Sequence, residues 1–147
     1  MKIALGADHA GYALKAHLVT VLTGWGYDVV DLGTTSAEES VDYPDFGAAV
    51  GRAVVGGECE LGVAVCGSGI GISIAANKVP GVRAAVVHDV TSAHLAREHN
   101  HANVLCLGSR LTGLSVAEEA LAAWLAATPQ GGRHEGRIAK IAQLDEN

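Results

Sequence analysis

Short apolar runs rich in β-branched residues alternate along this chain with longer Ala- and Leu-rich stretches of helical period. The short runs are Lys2 to Ala7, Tyr27 to Asp31, Leu61 to Val65, Val82 to Val87 and Val104 to Leu107. They predict five strands, and several are apolar throughout, as strands covered on both faces must be. Between them, Gly11 to Thr23 places Leu14, Leu18, Val21 and Leu22 on one helical stripe. Further helices are expected over Asp42 to Val55, Ser68 to Lys78, Thr91 to Glu98 and Ser115 to Ala126, with Gly and Pro marking the junctions. Strands alternating with helices form βαβ units, so the fold class is α/β around a parallel sheet. A Thr-Pro-Gln-Gly-Gly break then sets off Arg133 to Leu144, whose amphipathic pattern predicts a separate C-terminal helix.

Composition narrows this picture. A chain of 147 residues, 49% hydrophobic, buries one sizeable core, and a single domain over 1–147 is expected. No apolar run approaches the roughly 20 residues of a membrane span, and the start MKIALGADHA lacks the features of a signal peptide, so a cytoplasmic protein is expected. Cys59, Cys66 and Cys106 are odd in number and contain no CxxC pair, which suggests reduced thiols rather than a disulfide framework or a structural zinc site. A net charge of −6 disfavours nucleic acid and membrane surfaces as partners. Any cationic site for an anionic ligand must then be local.

In an open parallel sheet, ligands bind beyond the carboxyl ends of the strands. The residues there are Asp8 and His9, then Gly33 and Thr34, then the run CGSGIG, then His88 and Asp89, then Gly108 to Arg110. Gly67, Ser68, Gly69, Ile70 and Gly71 lie between a buried strand and a helix, where their N–H groups can converge on an anion; a tight packing turn would use the same glycines. Cys66 heads that loop, at a strand end and a helix N-terminus, a place that stabilises a thiolate; Cys59 and Cys106 fit an inert, buried role better. Three other chemistries for the loop each lack a required residue. GADHAG and GSGIG do not follow the dinucleotide fingerprint, and Ile72 stands where a P-loop needs Lys and where a cysteine phosphatase needs Arg.

Arg133 and Arg137, four apart with His134 beside them, project from one helix face and either clamp a phosphate or form a solvated basic face. Arg110 adds a third cation. The His-rich stretch HLAREHNH does not suit a metal, because His94 and His99 are about 140° apart around a helix at roughly 100° per residue. No metal and no cofactor are therefore expected. His99 with Asn100 reads as an acid–base group and an amide donor, or as ordinary helix-end capping; Asp8 with His9 has the same two readings.

Taken together, GADHAG, VDYPDF, CGSGIGISIAANK, the REHN run leading into NVLCLGSR, and GGRHEGR resemble the ribose-5-phosphate isomerase type B family and its relatives, the galactose-6-phosphate isomerase subunits. The match runs nearly end to end, and the order and spacing of the motifs fit. The resemblance implies a Rossmann-like α/β/α domain acting as a homodimer or homotetramer, with each active site built from both subunits. It implies Cys66 as the base moving a proton between C1 and C2 of an opened phosphorylated sugar, with Gly67 to Gly71 and Asn100 holding the enediolate oxygens. Ser68 stands where many members have threonine and keeps the hydroxyl. His99 matches the ring-opening residue with Asp8 as its partner, Tyr43 lies in a substrate-lining segment, and His9, Arg110, Arg133 and Arg137 match phosphate ligands. A subgroup replaces the cysteine by serine and uses a nearby glutamate; here Ala75, Ala76 and Asn77 follow, so the cysteine chemistry is the one this chain can run.

The expected function is thus aldose–ketose isomerisation of ribose 5-phosphate and ribulose 5-phosphate through a cis-enediolate. The same kit would serve a tetrose, allose or galactose phosphate. A silent phospho-ligand-binding module would keep the loop and arginines but would not need Cys66, His99 and Asp8, and all three are present.

Overall fold

The computed structural model describes residues 1–146, which build a five-stranded sheet and six helices. In chain order these are β1 (Lys2–Ala7), α1 (Tyr12–Gly24), β2 (Asp28–Asp31), α2 (Tyr43–Val55), β3 (Leu61–Cys66), α3 (Ile70–Ala76), β4 (Ala84–Val86), α4 (Val90–Asn100), β5 (Val104–Gly108), α5 (Leu114–Ala126) and α6 (Arg133–Leu144). All strand pairs are parallel, in the order β2-β1-β3-β5-β4. Parallel strands need crossovers, and the helices that make them cover both faces, which is why β1, β3 and β5 are almost wholly buried and read as unbroken apolar runs.

The two faces have separate cores. Ile3, Leu5, Val63, Val65, Leu105 and Leu107 pack with α1, α4 and α5 around Trp124. Ala4, Ala64, Cys66 and Cys106 turn the other way, onto Val50 of α2 and Ile72 of α3. Strand order reverses direction between β1 and β3, so the loops that leave these two strands diverge and open a crevice at their carboxyl ends. The α/β/α sandwich, its parallel sheet and its C-terminal helix thus match the sequence reading, with shifts at the ends of elements. The strand expected from Val82 to Val87 shrinks to Ala84–Val86, because Val82 N–H turns back to Val79 and Arg83 N–H goes to the Asn103 side chain. The helix expected from Ser68 begins at Ile70, after Gly69 takes a left-handed conformation at φ +77°.

One buried position was not on the expected stripe. Lys15 of α1 is 1% exposed, and its ammonium donates to Asp31 Oδ1 at 2.5 Å and to the Thr34 carbonyl at 2.8 Å. An enclosed cation is tolerable only with such partners. These bonds tie the end of β2 down beside the end of β1, where Thr34 N–H also reaches the Ala7 carbonyl.

Candidate active site

The crevice at the β1/β3 junction is a cavity of about 490 Å³, and its walls come from four segments. The loop after β1 supplies Asp8, His9 and Ala10, the start of α2 supplies Tyr43, the loop after β3 supplies Cys66 to Ser68 with Ile70 and Gly71, and the loop after β5 supplies Arg110 and Leu111. Each segment sits there because it leaves the same edge of the sheet. Ser109 Oγ donates to the Ala10 carbonyl at 2.7 Å, which joins the first and last of these loops.

The floor is the Cys66 loop. Gly69 N–H donates to Cys66 Sγ at 3.1 Å, so the sulfur rests on the turn that starts α3. That contact fixes the side chain at the floor of the cavity. The packing reading of the glycines holds. A Cβ at Gly69 would lie 2.9 Å from the Leu107 carbonyl carbon, so the turn needs glycine for packing, and the same turn delivers the N–H to sulfur. Ser68 lines the cavity, and its hydroxyl accepts the Ile70 N–H at 3.2 Å. Cys106 lies deeper on the same face, where burial first and the neighbouring Cys66 second push its thiol pKa up; burial likewise raises that of Cys59. Neither suits a base near neutral pH.

Above the floor, Asp8 is buried and its Oδ1 accepts the Gly11 N–H at 2.9 Å, which closes the turn ahead of α1, while the N-cap of that helix, Gly11, receives no side-chain cap. His9 Nδ1 accepts the Val41 N–H at 3.2 Å. The Arg110 guanidinium lies across Gly67, where a Cβ would sit 3.2 Å from its terminal nitrogen. Tyr43 leans on Gly71 so closely that a Cβ there would meet the ring at 2.5 Å. A thiol, a carboxylate, an imidazole, a guanidinium and a phenol therefore share one cavity lined by a glycine turn.

Four expected site residues lie elsewhere in the subunit. Helix α4 runs back against the strands, so His99 and Asn100 sit at its far end, separated from Cys66 by about 13 Å of strand at roughly 3.3 Å per residue. The His99 ring stacks on His134 of α6, with centroids 4.4 Å apart and planes 10° from parallel. Partial burial first, then His99 and the charges of Arg133 and Arg137, lower the pKa of His134. Arg133 and Arg137 are exposed on α6, and Asn100 borders a second cavity of about 260 Å³ with Arg83 and Ile141. His94 bonds Glu98 instead of approaching His99, and among the described residues no group of three His, Cys, Asp or Glu side chains could hold a metal ion. Sequence reasoning missed Ala10 and Leu111 on the wall, for which the neighbouring His9 and Arg110 were the signal, and it missed the buried Lys15 and the Val41 amide.

Residues 3–141 match the family described as Ribose/Galactose Isomerase. The chain belongs to that family. It is accordingly an enzyme and an isomerase. Among its relatives, ribose-5-phosphate isomerase B of Escherichia coli (strain K12) is 47% identical over 145 residues, covering 99% of this chain and 97% of that protein. A solved ribose-5-phosphate isomerase B from Clostridium thermocellum superposes with a TM-score of 0.98 at 52% identity, covering 99% of this chain and 98% of that one. The enzyme from Mycoplasma genitalium, solved with bound ribulose-5-phosphate, gives 0.94 at 40% identity, covering 99% and 97%. Among the described residues no helix is long and apolar enough to cross a membrane.

Proposed function

We propose that this isomerase interconverts ribose 5-phosphate and ribulose 5-phosphate, with Cys66 as the base. The observation that carries this reading is the cavity that gathers Cys66, with its sulfur on the Gly69 N–H, beside Asp8, His9 and Arg110. In the opened aldose, the Cys66 thiolate removes the C2 proton, and the electron pair moves through C1 onto the aldehyde oxygen to give a cis-enediolate. The thiol then returns the proton to C1 as the C2 hydroxyl proton passes to the C1 oxygen, leaving the C2 oxygen as the ketone. That carbon acid is weak, so the oxyanion needs fixed donors; in the Gly67 to Gly71 loop the Gly69 and Ile70 amides are taken by Cys66 Sγ and Ser68 Oγ, which leaves those of Gly67, Ser68 and Gly71 for this role. Ser68 assists from the rim, and Tyr43 closes one wall. His9 and Arg110 take the phosphate, which fixes C1 and C2 against the sulfur.

The site is completed by a second copy, whose His99 opens the sugar ring with Asp8 and whose Asn100, Arg133 and Arg137 reach the ligand. Helix α6 supports this, because none of its residues is buried in its own subunit although Ile141 and Leu144 form an apolar side. Exposed Ile70 and Ile74 on α3 offer an apolar surface beside the cavity. The whole chain then works as one isomerase domain in a cytoplasmic homodimer or homotetramer.

Incubation of the purified protein with four-, five- and six-carbon aldose and ketose phosphates in deuterated water tests the substrate. Interconversion with label at the exchanged carbon is expected for the ribose 5-phosphate pair; selectivity for a tetrose, allose or galactose phosphate would move the assignment, and complete silence would leave a binding module. Mixing inactive Cys66→Ala and His99→Ala proteins tests the shared site, since each mixed pair regains one intact centre only if the two residues come from different subunits.

A further inference from the structure

The cavity carries a positioning device in the segment between β2 and α2. It is pinned at its start, where Asp31 Oδ1 accepts the Gly33 N–H and the Lys15 ammonium, and where Lys15 also holds the Thr34 carbonyl. At its end the Val41 N–H points at His9 Nδ1, 3.2 Å away, one residue before Asp42, the N-cap position of α2. An amide N–H can donate only to a ring nitrogen that carries no proton. We propose that this strap sets the tautomer of His9 through the Val41 amide, leaving the ring proton on Nε2 and presenting His9 to the ligand as a fixed hydrogen-bond donor.

The consequence is selectivity for an acceptor. A phosphate dianion offers only acceptor oxygens, so a ring whose proton is already on the free nitrogen needs no rearrangement on binding. The other tautomer would bring a bare nitrogen toward the anion. Because the donor comes from the backbone, no side chain at 41 specifies it. The same segment runs directly into Tyr43, so one ordered strap holds two walls of the cavity.

The phosphate role of His9 rests on the proposed function, but the tautomer does not, and the test separates them. Long-range proton–nitrogen spectra of the 15N-labelled full chain, with His9 assigned through His9→Gln, should show a protonated Nε2 and an unprotonated Nδ1 in the wild type at pH 8. Val41→Ala keeps the amide and should reproduce that spectrum. Val41→Pro removes it and should give mixed tautomers, weaken inorganic phosphate about tenfold and raise KM to match, with kcat within about threefold. A protonated Nδ1 in the wild type would overturn the proposal whether or not the proline variant folds. So would a folded Val41→Pro protein with unchanged tautomer and phosphate affinity. If ribose 5-phosphate is not the substrate, the spectra and phosphate titration still decide.

Discussion

Replacing Gly71 by alanine separates the cavity wall from the stability of the fold. The new Cβ would lie 2.5 Å from Tyr43 Cζ, 2.7 Å from Cε2 and 2.9 Å from the hydroxyl. Unbonded carbons rest at about 3.5–4.0 Å, so the ring must retreat by roughly 1 Å or more. It can do so without breaking the core, because Tyr43 is 41% exposed and stands at the first turn of α2. Gly71 itself lies within α3, where alanine is favoured over glycine by about 0.5–1 kcal/mol. Net stability should therefore change by less than about 1 kcal/mol in urea melts. Turnover should suffer, since a displacement of about 1 Å in a positioning group costs up to roughly a hundredfold, near 2.7 kcal/mol of barrier. The measurement is kcat/KM on ribose 5-phosphate for Gly71→Ala, Tyr43→Ala and the double variant. Once the ring is gone the added methyl has nothing to push, so the double variant should match Tyr43→Ala. A Gly71→Ala enzyme within twofold of wild type at unchanged stability would refute the contact as a functional wall.

Other outcomes are equally checkable. Cys66→Ala should lose C2 proton exchange with solvent while keeping the wild-type melting curve; normal exchange would remove Cys66 from the role of base. Lys15→Ala orphans the buried Thr34 carbonyl and empties the space of the stem, so a loss of about 2–4 kcal/mol is expected by chemical denaturation, with Lys15→Met recovering about half. Equal losses in the two would mean that the ammonium alone matters. Asp89 caps α4 by accepting the Ser92 N–H, which holds its carboxyl below the ordinary value near 3.8. Its contribution is fully present above that value and fades as acid passes the lowered pKa, so Asp89→Ala should melt earlier than wild type at pH 6 and converge with it near the acid limit. A gap between the two curves that stayed constant down to strong acid would contradict this.

Much of the architecture was legible because a parallel sheet buries both faces of its strands and so writes them as apolar runs. β4 was overread for the same reason. Val82 and Arg83 carry strand-like side chains, but a turn and an asparagine side chain take their amides. Lys15 was illegible, because its partners lie 16 and 19 residues away and a lysine on a helix ordinarily reads as solvent-facing. Asp8, His9, Cys66 and Arg110 converge because strand ends share one edge of the sheet. His99, Asn100, Arg133 and Arg137 were singled out by residue type, but their place was not legible, since the direction of α4 carries the first pair away and α6 has no buried residue in its own subunit.

The cavity is unequally made. Its floor cannot give: a Cβ at Gly11 would sit 2.4 Å from the Val65 carbonyl oxygen, and one at Gly108 would sit 2.5 Å from the Ser68 backbone. Its rim is loose at Leu111, which is 60% exposed. A lineage can therefore exchange rim side chains and lengthen or shorten the sugar it accepts without disturbing the atoms that move the proton. A hard floor under a soft rim is a physical route by which one scaffold comes to serve both pentose and hexose chemistry, with mutations in the two layers subject to different tolerances.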